Sequence, residues 1–330
     1  MSGPMTALHR HLVRAGARAL GLGLGLALDA LVGDPPNRLH PVAWFGSAVA
    51  RLERATYTDD RAAGTRLVAM TVLPLAVAGA GVDHLTRNRP LARVLTTAGV
   101  TWVCVGRRSL SDEGRVLADR LASADLTGAR EQLTHLCGRD PDDLDEPEIA
   151  RAAVESMAEN TSDAVVGSLF WGGATGLGGM LTHRALNTLD AMVGHHNDRY
   201  ERFGWCAAVG DDAANLLPAR LTGLLTVAVA PLVGGSSRDA WRVMRRDAHA
   251  HPSPNGGWCE SAFAGALGVQ LGGRNVYYGG RVEDRGLLGD GPRPDAIALR
   301  RAAALVGHVS LAALGVVTAG LVAAAPGRNR

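Results

Sequence analysis

The sequence contains no lysine, so all 34 of its basic residues are arginine. A Walker-type phosphate-binding loop and a Schiff-base mechanism both require a lysine side chain, and both are therefore excluded. The formal net charge is only +2. A nucleic-acid-binding protein usually carries a concentrated basic surface, so we predict no nucleic-acid partner.

Cysteine is also scarce, and its four positions are far apart. They are Cys104, Cys137, Cys206 and Cys259, and no two of them form a CxxC pair. Such spacing favours neither a disulfide framework nor a zinc site. We interpret the four cysteines as small residues of the core.

Long hydrophobic runs are few, although 47% of the residues are hydrophobic. The apolar residues collect in six stretches, at about 19–33, 67–82, 91–105, 164–181, 221–235 and 302–325. A helix needs about 20 apolar residues to cross a bilayer, and only the last stretch reaches that length comfortably. The shorter ones favour tilted pairs or re-entrant segments buried within protein. A soluble, all-helical core is the alternative.

The polar stretches between these runs predict amphipathic helices, because strand signals are nearly absent. Residues 107–133 place leucines among charged residues at near-helical spacing, and residues 140–150 form an acidic turn that begins a new helix. We predict an all-α, multi-pass helical integral membrane protein with re-entrant or short spans and amphipathic cytoplasmic helices. It forms a single domain over 1–330, with its core at about 20–325. The positive-inside rule favours the arginine-rich loops in the cytoplasm.

Three carboxylates precede the apolar stretch 164–181. Glu155, Glu159 and Asp163 have the spacing i, i+4, i+8, which places them on one face of an α-helix. Their mutual repulsion is relieved when a cation binds, and oxygen ligands suit Mg²⁺. A solvated helix end is the alternative, because charged stripes commonly face water.

Two further clusters combine charge and amide groups. Arg184, Asn187 and Asp190 share a helix face, where arginine can grip a phosphate and the other two can bind a metal. Asp211 and Asn215 also share a helix face and, with Asp212, offer a second metal or phosphate platform. A helix N-cap with a first-turn acid explains Asp211 and Asp212 almost as well.

A fourth cluster runs from Asp247 to Glu260 and contains His251 and Asn255. Its Pro-Ser-Pro-Asn-Gly-Gly segment predicts a turn whose backbone amides can hold an anion. Near the N-terminus, Asp29 lies inside an apolar stretch, where a carboxylate is costly and therefore a functional candidate. No single cluster identifies a reaction.

Taken together, these sequence motifs closely resemble those of the CobD/CbiB family, the adenosylcobinamide-phosphate synthases (cobinamide synthases) of cobalamin biosynthesis. The resemblance extends in order from about residue 20 to residue 280. The motifs that carry the resemblance are Gly33-Asp34-Pro35 with His40-Pro41-Val42, Glu155 to Asp163, Arg184 to Gly194, Phe203-Gly204-Trp205 with Asp211-Asp212, and His251 to Trp258 followed by Gly265 to Val269.

The resemblance implies a multi-pass protein of the cell membrane, in contact with lipid and with its active site on the cytoplasmic face. It implies that adenosylcobyric acid is joined to aminopropanol or to aminopropanol phosphate by ATP-dependent amide formation, with Mg²⁺. Other membrane enzymes of late cobalamin assembly are candidate partners. Two rival functions are a non-catalytic sensor or scaffold of the AmpE type, and a transporter of a corrinoid or another anion.

The resemblance gives the reaction, and side-chain chemistry suggests the roles. We assign catalysis to Glu155, Glu159, Asp163 and His251; cofactor binding to Asn160, Arg184, Asn187, Asp190 and Asn255; and metal binding to Glu159, Asp163, Asp211 and Asp212. Because ATP and a corrinoid must react at near-contact distance, we expect one shared cavity. It should be lined by Asp34, Glu159, Asp163, Asp190, Asp211 and Asn255.

Overall fold

The structure is a computed structural model that describes residues 4–277 and 281–324. These residues form thirteen α-helices and one antiparallel pair of strands. The helices are α1 (Pro4–Val32), α2 (Pro41–Thr56), α3 (Arg61–Thr86), α4 (Pro90–Val105), α5 (Arg107–Ala122), α6 (Leu126–Leu133), α7 (Glu146–Asn160), α8 (Gly167–Ala174), α9 (Leu177–Val193), α10 (Trp205–Val229), α11 (Ser237–Asp247), α12 (Gly256–Leu267) and α13 (Ala296–Ala323). The strands are β1 (Leu271–Tyr277) and β2 (Arg281–Leu288). The helical fold class is confirmed.

Four helices are long and apolar enough to cross a membrane. They are His9–Val32, Arg61–Thr86, Trp205–Val233 and Ala296–Ala323. Large apolar side chains are exposed along them at helical spacing, such as Leu20, Leu24 and Leu28 on α1 and Leu73 and Val77 on α3. A bilayer offers such stripes the apolar surroundings that water does not.

The acidic turn starts a helix as its sequence predicts. The carboxylate of Asp145 accepts a hydrogen bond of 3.0 Å from the Glu148 N–H at the start of α7, and a proline stands in the first turn. This N-cap satisfies a backbone donor that has no partner within the helix.

Residues 107–133 form two helices and not one. The chain breaks after α5, where Ala124 adopts a positive φ of 59°. Asp125 then caps α6 by accepting a hydrogen bond of 2.9 Å from the Gly128 N–H. Periodicity alone missed the break because leucines continue at helical spacing on both sides of it.

The apolar stretch 164–181 is not one continuous span. It begins in a π-helical segment, Thr161–Val166, continues as α8, and breaks at Gly176, whose φ is 82°. At that glycine a side chain would meet Asp83 and Arg18. The stretch is therefore two short helical pieces joined by a turn.

The hairpin β1–β2 is an element that the sequence pattern did not predict. Its strands pair Gly273 with Arg285 and Asn275 with Glu283, and the register shifts between Leu271 and Gly273. Glycines and charged residues make up three of the seven residues of β1 and five of the eight of β2, so the usual alternation of β-branched residues is weak.

The chain divides into two compact units. The first contains the described parts of 1–106, 167–214 and 313–330, and in it α1 packs on α4 and α3 packs on α9. Gly21 and Gly25 allow α1 to approach α4, because a Cβ at either position would lie 2.5 Å from the Cβ of Thr97 or Thr101. Small residues four apart are a common device for packing membrane helices.

The second unit contains 107–166 and the described parts of 215–312. Its core includes Leu117, Ile149, Met157 and Phe263, all with no exposed surface. In this unit α12 packs against α7 and α11, and the hairpin contacts the turn that precedes α12. These elements carry Glu155 and Glu159 on α7, Glu260 on α12 and Arg285 on β2.

Candidate functional site

The second unit holds a compact cluster of four charged or titratable side chains. Glu159 lies at the end of α7, Glu260 lies in the second turn of α12, and His251 precedes the loop that leads into α12. Arg285 lies on β2. Four different elements therefore supply the cluster, over a sequence span that no local pattern covers.

One nitrogen of Arg285 lies at the centre of the cluster. Its Nη1 is 2.9 Å from His251 Nε2, 3.4 Å from Glu260 Oε1 and 3.8 Å from Glu159 Oε1. Glu260 is fully buried and His251 nearly so, whereas the Glu159 side chain is 36% exposed. Glu159 is thus the member of the cluster that a substrate can reach.

The loop before α12 fixes the orientation of His251. The Ser253 N–H donates to His251 Nδ1 at 3.0 Å. A neutral imidazole that accepts at Nδ1 carries its proton on Nε2. That nitrogen lies 3.1 Å from Glu260 Oε1, so His251 donates to Glu260.

The same loop does not form the predicted anion-binding turn. The N–H groups of Asn255 and Gly256 both donate to Ser253 Oγ, at 3.2 and 3.1 Å. The amide groups of residues 253, 255 and 256 are therefore used inside the loop. That prediction was wrong because the serine side chain competes for the donors.

Gly256 is required by the closeness of the cluster. A Cβ at this position would lie 2.9 Å from Glu159 Oε1 and 2.9 Å from His251 Cε1. Any side chain there would push the carboxylate away from the imidazole. The glycine pair before Trp258 thus serves close packing, at least at its first position.

The two carboxylates of the cluster have different proton affinities. Burial and the neighbouring Glu260 raise the pKa of Glu159 to about 7. Burial also acts to raise the pKa of Glu260, but the hydrogen bond from His251 and the charge of Arg285 hold it below its ordinary value. Two carboxylates that repel each other in one site take different pKa values, so a proton shared by the pair resides on Glu159.

The cluster does not fit a magnesium ion as it stands. Glu159, His251 and Glu260 each offer a ligand atom, and these atoms lie within 4.8 Å of one another. However, a guanidinium nitrogen already lies among them, and His251 Nε2 carries a proton and has no lone pair to give. Mg²⁺ also prefers oxygen ligands. Glu159 as a metal ligand stays a prediction, which the presence of Arg285 among these atoms does not favour.

Glu155, predicted as catalytic, lies in a buried ion-pair network. It accepts from Arg139, from Arg151 Nη1 at 3.2 Å, and from the Gly272 N–H at 2.7 Å. Arg151 also donates to Asn275 Oδ1 at 2.7 Å. Both oxygens of Glu155 are thus engaged, and the network attaches β1 to α7.

The predicted stripe of three carboxylates is interrupted after Asn160. Asp163 lies in the π-helical segment, whose wider turns change the angular spacing that an α-helix would give. Asp163 is close enough to Cys259 that, with burial, it raises the pKa of that thiol. The amide of Asn160 donates to Ser156 in its own helix, at 2.9 Å to the carbonyl oxygen.

The first unit brings together the second predicted cluster on α9. Arg184 Nη1 donates to Asn187 Oδ1 at 3.1 Å, and Arg184 Nε is buried with no hydrogen-bond partner among the described residues. Burial and the carboxylate of Asp212 raise the pKa of Asp190. This cluster therefore combines an unsatisfied cationic donor with two carboxylates that repel each other.

Asp211 and Asp212 lie inside α10, which begins at Trp205. The alternative that they form a helix N-cap is therefore wrong. Asp211 is buried, at 8% exposure. Because the interior of a helix needs no capping acid, a capping role does not explain the pair.

Two remaining predicted residues have local partners. Asn255 Oδ1 accepts from Arg220 Nη1 at 2.8 Å, and the same guanidinium lies over the Trp258 ring, 5.1 Å from its centroid. Asp34 lies 3.8 Å from His40 Nε2 in the first unit. The shared cavity stays a prediction, because its six residues are divided between the two units.

Sequence reasoning missed Glu260 and Arg285. Glu260 stood at the end of the fourth cluster, in a helix that otherwise contains small and apolar residues, and a lone acid in such a segment is a detectable signal. Arg285 gave no such signal, because the segment around it resembled a polar linker.

The fold and the cluster define a helical protein with four candidate membrane-spanning helices and a buried carboxylate–histidine–arginine site. A family model described as CobD/Cbib protein matches residues 22–306. The chain therefore belongs to the CobD/CbiB family.

Relatives from distant bacteria cover most of the chain. One named cobalamin biosynthesis protein CobD, from Mycobacterium tuberculosis (strain ATCC 25618 / H37Rv), is 48% identical over 289 residues, which are 87% of this chain and 91% of the relative. A protein of the same name from Geobacter metallireducens is 46% identical over 278 residues (83% and 87%). Another, from Rhodobacter capsulatus, is 42% identical over 297 residues (88% and 92%). No solved structure matches the chain.

Proposed function

We propose that this protein acts in cobalamin biosynthesis, where it joins adenosylcobyric acid to aminopropanol or aminopropanol phosphate and consumes ATP. The observation that carries the proposal is membership of the CobD/CbiB family over residues 22–306. The site in the second unit supports it, because amide formation needs a group that accepts a proton beside a reachable surface.

The reaction needs activation of a carboxylate. In the proposed route, a propionate oxygen attacks the terminal phosphorus of ATP, so that an acyl phosphate forms and ADP leaves. The amine nitrogen then attacks the acyl carbon, the amide bond forms and inorganic phosphate leaves. The incoming ammonium gives up two protons, one of which is retained by the phosphate and one of which needs an acceptor.

Glu159 is the side chain that we assign as this acceptor. It is partly exposed, and its raised pKa of about 7 suits proton exchange near neutral pH. Glu260, His251 and Arg285 lie behind it and fix its position. Asp163, on the adjoining π-helical segment, is proposed as a further catalytic carboxylate.

The nucleotide phosphates are assigned to the α9 cluster. Arg184 offers its unsatisfied Nε, and Asn187 orients that guanidinium. Burial and repulsion from Asp212 both raise the pKa of Asp190, and a cation held by the two carboxylates would relieve that repulsion. Asp190 and Asp212 therefore fit Mg²⁺. Mg²⁺ would supply charge neutralisation for the transferred phosphoryl group.

The proposed location is the cell membrane, with the active site on the cytoplasmic face. The four apolar helices support membrane insertion. ATP and the corrinoid are polar and cytoplasmic, and neither can react across a hydrocarbon layer about 30 Å thick.

The test is synthesis by the purified protein in detergent or nanodiscs. Adenosylcobyric acid, ATP and Mg²⁺ are supplied with either aminopropanol or aminopropanol phosphate, and mass spectrometry measures the amide product while ADP release is followed. ATP-dependent amide formation is expected with one of the two amines. Corrinoid binding or movement without any amide product would instead favour the transporter or scaffold.

A further inference from the structure

The geometry points to Arg285 as a built-in cation, which occupies the position beside Glu159 and Glu260 that a divalent metal ion would otherwise take. Its Nη1 lies within 3.8 Å of both carboxylates and of His251. This inference concerns cation binding and holds without the proposed reaction. A second part, that Arg285 positions Glu159 for catalysis, rests on the proposed function.

Charge balance supports this assignment. Glu260 is fully buried, and an isolated buried carboxylate is unstable unless it is paired. Arg285 supplies the positive charge and His251 supplies a hydrogen bond of 3.1 Å. The negative charge of Glu260 is therefore balanced by a guanidinium, and a metal ion would have to displace that group to enter.

The hairpin holds Arg285 in place from two directions. Gly286 packs against the turn before His251, where a Cβ would lie 2.6 Å from both the carbonyl oxygen and the Cβ of Ala250. Across the hairpin, the Gly272 N–H donates to Glu155 at 2.7 Å. Arg285 Nε also donates to Glu283 Oε1 at 3.2 Å on its own strand. The guanidinium is thus fixed before any ligand binds.

The ion-pair network of Glu155 holds the hairpin, and with it Arg285, against α7. Glu155 and Arg151 attach β1 to α7, and β1 carries β2 and hence Arg285. Glu159 stands one helical turn after Glu155 on the same helix. The positions of both Glu159 and Arg285 are therefore set by α7, directly for Glu159 and through the hairpin for Arg285.

The test is manganese binding to the purified full-length protein in detergent, with Mn²⁺ alone as the probe and electron paramagnetic resonance as the readout. Arg285→Gln should gain a manganese site that wild type and Arg285→Lys lack, and adding Glu260→Gln to Arg285→Gln should abolish it. Wild type and Glu260→Gln should bind the same amount of Mn²⁺. Any Mn²⁺ held elsewhere, such as at Asp190 and Asp212, is common to all these variants.

Two results would overturn the inference. One is a manganese site in wild type that disappears in Glu260→Gln, a comparison that does not depend on how Arg285→Gln folds. The other is a folded Arg285→Gln protein, judged by an unchanged elution profile and melting transition, that gains no site.

The catalytic part has its own readout. Under the proposed function, Arg285→Gln should lower kcat by about tenfold with little change in the KM for ATP, and Arg285→Lys should recover part of the loss. Equal losses in both variants would show that charge at this position is not what matters. Failure of the proposed function itself would appear as no amide product in wild type, with the manganese result unaffected.

Discussion

At the scale of single residues, two glutamates four positions apart have opposite surroundings. Glu155 is 1% exposed, and both its oxygens are engaged by arginines and a backbone amide. Glu159 reaches the surface and faces another carboxylate. The same residue type on the same helix is thus fully engaged by buried partners in one case and accessible at the surface in the other.

Glu159→Gln should lower amide synthesis by about 100-fold or more, because an amide side chain cannot accept the proton of the amine. The measurement is the initial rate of product formation by mass spectrometry. Glu131→Gln, an exposed position on α6, is the matched control and should keep wild-type activity. Near-normal turnover of Glu159→Gln would remove Glu159 from the mechanism.

The pH dependence of stability should also report Glu159. Its pKa is raised in the folded state, so the folded protein holds a proton that the unfolded chain releases, and this stabilisation is lost as pH rises through about 7. Glu159→Gln removes this loss. The melting temperature of the variant minus that of wild type should be larger at about pH 8 than at about pH 5. A difference independent of pH would contradict the assignment.

Glu155→Gln should destabilise the protein by about 3 kcal/mol or more, because it leaves Arg139 and Arg151 buried with one negative charge fewer. Thermal unfolding in detergent measures the loss. Glu148, a partner of Arg151 that is about one-third exposed, offers the control, and Glu148→Gln should cost less. Equal losses would show that burial of the pair is not decisive.

At the scale of elements, the hairpin β1–β2 is the part whose placement matters most for the site. It carries Arg285 to the cluster and Asn275 to Arg151. Its close approach to the turn before His251 depends on a glycine at 286. The position of the hairpin is therefore set by close packing at Gly286 and by the hydrogen bond between Asn275 and Arg151.

Gly286→Ala should displace this hairpin and lower both stability and activity. The new Cβ meets the carbonyl oxygen and Cβ of Ala250 at 2.6 Å, and backbone atoms cannot move aside cheaply. A stability loss of about 1–3 kcal/mol is expected, measured by thermal unfolding. Gly99→Ala, in α4, is the control, because nothing lies within 4 Å of a Cβ added at that position. This substitution should be neutral or should stabilise the protein by up to about 1 kcal/mol.

At the scale of the whole molecule, apolar surface is the dominant feature. The four long helices expose large side chains such as Leu31, Val77 and Leu311, at 78, 71 and 59%. The protein should therefore remain with the membrane pellet after carbonate extraction of cells, detected by immunoblot. A soluble marker protein should be released in the same extract. Recovery of this chain in the soluble fraction would rule out membrane insertion.

The sequence by itself determined the helical class, the apolar segments and the family. These follow from composition, from 3.6-residue periodicity and from long, unusual sequence motifs, all of which are local properties of the chain. Glu159 and His251 were also predicted, because acids and histidines beside apolar segments are costly unless they have a role. The start of α7 was predicted because a cap is a local interaction.

Only the tertiary structure decided which of these residues meet. Glu159 and His251 are 92 positions apart, and their meeting depends on how α7 and α12 pack. Arg285 gave no signal in the sequence because its strand is rich in charged residues. The contacts that attach the hairpin, from Glu155 and Arg151 to β1, also come from another element. Long-range contacts also engage Glu155, a predicted catalytic residue, with two arginines and with β1. Side-chain partners across elements are set by packing, and packing has no signature in local sequence.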